Sequence, residues 1–140
     1  MELEEDSVSV LVGLMSCEDP EVRTEAVRTV KNQIIGNRVK KAEYVNAGAF
    51  EVLLKIVDNA SSDPNGAVQA IAALGSLACR YKEGYEASRK SSVVKHILAC
   101  LDSPYTPVVE SSLRALKIMF TMDSVGLREE LFIGSPSPPV

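Results

Sequence analysis

Residues 19–30 read DPEVRTEAVRTV: an acceptor side chain, then proline, then apolar residues three and four apart, the opening of one amphipathic helix. The aspartate can accept hydrogen bonds from the exposed N–H groups of a first turn, and proline at the next position gives up an N–H that has no partner there. The same opening returns at Asp63-Pro64 and, altered, at Thr106-Pro107. The apolar residues downstream of it recur too. Ala26, Val27, Val30 and Ile34 match Ala70, Ile71, Leu74 and Ala78 at an offset of 44, and these match Ser112, Leu113, Leu116 and Phe120 at an offset of 42. The spacing predicts three long helices that start by one device.

Ahead of each long helix lies a second recurring face. Ala49, Phe50, Leu53, Leu54 and Val57 match Val93, Val94, Ile97, Leu98 and Leu101 at an offset of 44, and match Ser7, Val8, Leu11, Val12 and Met15 at an offset of 42. A third, weaker segment precedes two of these medium helices. Residues 39–48 place Val39, Ala42 and Val45 on one face, and Gly48 is placed to end the helix in a left-handed conformation. The counterpart, residues 82–92, is poor in apolar side chains, with Tyr81, Tyr85 and Ala87 as its candidates for burial.

A period of 42 to 44 residues built from a short, a medium and a long helix predicts an all-α solenoid of about three repeats. No unit has enough surface to bury its own apolar face, so neighbours must cover it. The units fall at about 1–35, 38–80 and 82–121, with a partial fourth at 124–133 and a disordered Pro/Ser tail at 134–140. Losing a neighbour would expose about five apolar side chains at roughly 2 kcal/mol each, some 10 kcal/mol, as large as a typical net stability. The expected cover is residues 124–133 folding back through Val125, Leu127, Leu131 and Phe132, or another protein chain.

Composition narrows the function classes. The 140 residues are 46% apolar and 24% charged, which is globular composition, and the aromatic share is only 5% with no Trp. A core of Val, Leu, Ile and Ala is the consequence, and such side chains let helices approach closely. The net charge of -4 argues against a nucleic-acid surface, which needs clustered cations. Lys31, Arg38, Lys40 and Lys41 form the only basic cluster and read as the solvated face of a short helix, interrupted by Glu43 and Glu51. Cys17, Cys79 and Cys100 are odd in number, far apart and set in apolar helical patterns, as expected of free thiols in a reduced compartment. The opening MELEED lacks the order of a signal peptide, and no apolar run approaches the ~18 residues of a membrane span, so a cytoplasmic and nuclear protein is expected.

The chemistry of an enzyme is not visible. The sole histidine, His96, falls off the apolar face beside Lys95 and reads as solvated, without a nucleophile to activate. Three cysteines and one histidine lack the close pairs of a zinc site, and no glycine-rich phosphate loop is present, so no metal, cofactor or small-molecule substrate is expected. Gly75 costs a helix roughly 1 kcal/mol against Ala, which a close crossing by a neighbouring helix would offset. Glu4 beside Glu5 and Glu129 beside Glu130 read as surface charge, because adjacent helical residues point apart. Pro136 and Pro139 fit a minimal P-x-x-P, with Ser135 and Ser137 each before proline, in a segment that reads as a disordered tail.

The segment NAGAFEVLLKIV running into a proline-led long helix resembles an armadillo repeat, with the Gly48-Ala49 step and the Leu53-Leu54 pair matching that family's second helix. The stretches VKNQIIGNRVKKAEYVNAGAFEVLL, AALGSLA and SSLRALKIMFT followed by REELF are similar to the N-terminal repeats of the armadillo-type solenoid subunits of CTLH (GID) ubiquitin ligases, over roughly residues 20–132. The resemblance implies a right-handed superhelix and a non-catalytic scaffold whose partners are other proteins, ligase-core subunits among them, acting in proteasome-dependent degradation. The relatives carry many more repeats, and their later repeats hold the substrate-recognition subunit, so that contact is not expected here.

The peptide-gripping members of the family use a ladder of Asn with Trp one turn earlier. Those positions read Asn32, Ser76 and Ile118, with Arg28, Ala72 and Arg114, so that grip is not implied. By the family's usage, partners meet the concave ridge of long helices, whose exposed positions are expected to be Arg28, Lys31, Asn32, Ala72, Gly75, Ser76, Arg114 and Lys117. The alternative is a truncated armadillo/HEAT-type adaptor outside the ubiquitin system, binding through its open C-terminal end.

Overall fold

The structure, a computed structural model, describes the backbone of residues 2–129 and the side chains of residues 8–122. Over that span the chain is helical throughout: α1 (Glu2–Leu14), α2 (Pro20–Ile34), α3 (Arg38–Asn46), α4 (Ala49–Asp58), α5 (Pro64–Ala78), α6 (Lys82–Lys90), α7 (Val93–Ala99), a 3₁₀ turn (Cys100–Asp102) and α8 (Thr106–Glu129). The long helices α2, α5 and α8 lie side by side, the medium helices α1, α4 and α7 pack behind them, and the short helices α3 and α6 bridge successive repeats. This is an all-α solenoid.

The sequence periodicity explains the packing. Ala26, Ala70 and Ser112, in one register, are all buried where the long helices meet. The middle helix α5 is covered from both sides, and residues 66, 67, 70, 73, 75 and 78, all Gly or Ala, keep its neighbours close. A helix apolar nearly all round is a core helix. On α4, Ala49, Phe50, Leu53, Leu54 and Val57 are buried as the pattern requires, with Ile56 added.

Two of the three proline-led starts work as expected. Asp19 accepts from the Glu21 N–H at 2.9 Å, and Asp63 accepts from the Gly66 N–H at 3.1 Å. The third does not: α8 begins at Thr106 itself, with Pro107 at its second position and the Tyr105 carbonyl accepting from Val108 and Val109.

Other local expectations are corrected. On α3 the buried residues are Lys41 and Tyr44, while Val39 is exposed and Ala42 and Val45 are half-buried. Lys41 is therefore not part of a solvated face. Its ammonium donates to the Cys79 carbonyl at the end of α5, at 2.8 Å, and burial lowers its pKa, Cys79 opposing this and Arg38 adding to it. His96 is not simply solvated: its Nδ1 meets Asp58 Oδ1 at 2.7 Å, joining α7 to α4. Cys17, Cys79 and Cys100 are free thiols, but they sit just past the ends of α1, α5 and α7 rather than within those helices. Burial pushes the Cys100 thiol up, with the Asp58 carboxylate adding to it.

Helix α8 carries on to Glu129, through the start of the segment 124–133 expected as a partial fourth unit. The capping side chains Val125, Leu127, Leu131 and Phe132, the tail 134–140 and the acidic pairs at 4–5 and 129–130 lie outside the described side chains.

Candidate functional site, the ridge of long helices

The ridge is assembled by ties between repeats. Arg23 on α2 donates to the Cys17 carbonyl at 3.0 Å and pairs with Asp63 at 2.9 Å, so the cap of α5 also anchors α2. Lys31 donates to Gln69 at 2.8 Å across the same junction, and the Ser111 hydroxyl on α8 donates to the Val68 carbonyl at 3.0 Å across the next. These bonds fix the register of the three helices, and so of whatever they display.

Across the N-terminal halves of the long helices runs an open groove of about 510 Å³, lined by Glu21, Thr24, Glu25 and Arg28 from α2, Asn65, Val68 and Gln69 from α5, and Pro107 from α8. Arg28 is paired with Glu25 at 2.8 Å, which offsets its charge locally. The remaining lining is rich in acceptors, and favours a partner that brings donors or cations.

Of the expected ridge residues, Arg28, Asn32, Arg114 and Lys117 are exposed, and Lys31, Ala72 and Ser76 are half-buried. Gly75 is the correction: it is buried, and a Cβ there would meet Ile118 at 3.4 Å and Ala115 at 3.5 Å. It serves the close approach of α8 to α5. Only Arg28 of the expected set lines the groove. Thr24 with Val68 and Glu25 with Gln69 are functional candidates that sequence reasoning missed, although they are paired by the same offset of 44, one turn earlier on each helix. The signal for them is the length of the ridge, whose register holds in its N-terminal half as well as in its middle.

Among the described residues, no three or more His, Cys, Asp or Glu side chains gather as a metal site would require, and no helix is long and apolar enough to cross a membrane.

No protein-family model matches the chain. It is similar to armadillo repeat-containing protein 8 of Mus musculus, 29% identical over 103 residues, and to the proteins of that name from Pongo abelii at 28% and Xenopus laevis at 27%. Each match covers 74% of this chain and 14–15% of the relative, so the chain spans a small part of their length. In structure it is similar to an engineered protein determined by crystallography, with a TM-score of 0.74 and 25% identity, covering 94% of this chain and 57% of the other.

Proposed function

From the armadillo-repeat relationship these similarities support, we propose that the chain is a non-catalytic protein-interaction scaffold that works as a subunit of a CTLH/GID-type ubiquitin ligase in the cytoplasm and nucleus. The similarity to armadillo repeat-containing protein 8 supports the ligase reading. The observation that carries the scaffold reading is the ridge, where three tied long helices hold a polar groove at one end and the exposed cations Arg114 and Lys117 on α8. A rigid surface of this kind recognises a partner by arranged charge and shape rather than by reaction.

The test is capture from a cell extract with tagged residues 1–140. Ligase-core subunits are expected among the retained proteins, and the charge reversal Arg114→Glu with Lys117→Glu should lower their yield at least severalfold while the helical signal stays unchanged. Retention of proteins without any ligase-core subunit would overturn the ligase reading. A second reading, an armadillo/HEAT-type adaptor that binds through its C-terminal end outside the ubiquitin system, is favoured by one observation: Leu113 and Phe120 are each 55% exposed there.

A further inference from the structure

The two ends of the stack expose faces that are buried between its repeats. At the C-terminal end, Leu98 is 46% exposed, and Leu113 and Phe120 are 55%. Their counterparts one repeat earlier are Leu54, Ile71 and Ala78, at 8%, 0% and 0%. The last repeat thus turns outward the face that the middle repeat buries against its successor. At the N-terminal end, Val10, Leu14 and Val22 are exposed. Their counterparts Val52, Ile56 and Gly66 are half-buried or buried, Val52 and Ile56 beside Met15 of the preceding repeat.

The polar groups match as well as the apolar ones. Inside the chain, Lys31 crosses the first junction to Gln69 at 2.8 Å. Lys117 holds the Lys31 register at the C-terminal end, two repeats on, and Glu25 holds the Gln69 register at the N-terminal end. Both are exposed, and the Glu25 carboxylate accepts from Arg28 of its own helix at 2.8 Å. Where the internal junction sets a cation against an amide, a copy stacked on a copy would set a cation against a carboxylate.

We propose that the chain associates head to tail, the C-terminal end of one copy (Leu98, Leu113, Phe120, Lys117) seating on the N-terminal end of a second (Val10, Leu14, Val22, Glu25) and continuing the solenoid in its own register.

A symmetric pairing of two copies fits less well. A two-fold contact between C-terminal ends that buried both Leu113 and Phe120 would centre between them and bring the two Lys117 ammonium groups together.

A head-to-tail contact uses two different surfaces and stays open at both ends, so its assemblies have no fixed size. Sedimentation velocity on the 140-residue chain over a wide concentration range tests this. The expected result is a mass above the monomer's 15.1 kDa that keeps rising with concentration. Lys117→Glu should weaken association about tenfold, the scale of one close charge pair. Adding Glu25→Lys to it should restore most of the loss. Leu113→Ser with Phe120→Ser should leave a folded monomer by circular dichroism. A monomer at every concentration, a plateau at a dimer, or a double charge swap without recovery would each overturn the proposal. It rests on the solenoid, not on the ligase reading: a strict monomer that still captures ligase-core subunits overturns this proposal alone, and an associating chain that captures none overturns the other.

Discussion

Four residues show how one backbone is written twice. Gly36 and Gly48 have φ of +67° and +87°, and their counterparts 44 positions on, Arg80 and Ser92, have +54° and +58°. The connections on either side of the short helix need the left-handed region in both repeats. An L side chain there costs about 1–2 kcal/mol, which glycine avoids at some entropic cost to the folded state. Arg80→Gly and Ser92→Gly should therefore each stabilise the protein by roughly 0.5–1 kcal/mol, read as a higher denaturation midpoint. Gly48→Ala should lower it by a similar amount. Gly48 was legible from sequence because glycine announces the conformation; Ser92 was not, because serine does not.

Tyr44 carries a pH dependence. It is fully buried, its hydroxyl donates to Gln33, and burial, with the neighbouring Glu43 carboxylate second, pushes its pKa from 10.0 up to about 12. The folded state keeps a proton that the unfolded chain releases above pH 10, so stability is full below pH 10 and falls as pH rises towards 12. The loss is roughly 2–3 kcal/mol across that window, at about 1.4 kcal/mol per unit. Tyr44→Phe should start less stable at pH 7 but lose that much less between pH 10 and 12, measured by urea unfolding at each pH. Equal losses in both proteins would refute the assignment.

At the scale of the element, α6 was the hardest segment to read and its structure gives the reason. Its buried residues are Gly84, Tyr85 and Ser88, hardly an apolar stripe. The helix is held instead by closeness. A Cβ on Gly84 would lie 2.0 Å from the Leu77 carbonyl oxygen of α5, and the Ser88 hydroxyl oxygen lies 3.7 Å from the Met119 sulfur of α8. Gly84→Ala should lift α6 off α5 and destabilise the protein by about 2–3 kcal/mol, the usual scale of overpacking.

The opposite case is α3, where periodicity chose the wrong face. Val39 is apolar yet exposed, and Lys41 is charged yet buried, because the end of α5 offers it a carbonyl in another repeat. Lys41→Ala should cost about 1–3 kcal/mol by leaving the Cys79 carbonyl without its donor, measurable by denaturation at pH 7.

At the scale of the molecule, stability is a matter of neighbours. Leu74 is fully buried in the central long helix, whereas Leu113 stands at the C-terminal end, more than half exposed. Leu74→Ala should cost about 3 kcal/mol, while Leu113→Ala should stay within about 0.5 kcal/mol in dilute solution. Two values of similar size would mean that the C-terminal face is covered in the free chain. The candidate ridge obeys the same division. Arg28, Arg114 and Lys117 were legible as exposed, because solvent-facing positions follow from helical period alone, but the groove at 24, 25, 68 and 69 appears only once α2 and α5 are set side by side.

The sequence by itself determined the helices, their repeat and the apolar faces that stack, because a period of 3.6 residues within an offset of 42 to 44 leaves no other way to bury them. The close crossing at Gly75 was legible as the reason for a glycine inside a helix, whereas tertiary structure alone decided the roles of Lys41, His96 and Gly84. A buried cation, a histidine–carboxylate contact and a close crossing each depend on an atom from another helix, and no local pattern records where that atom will be.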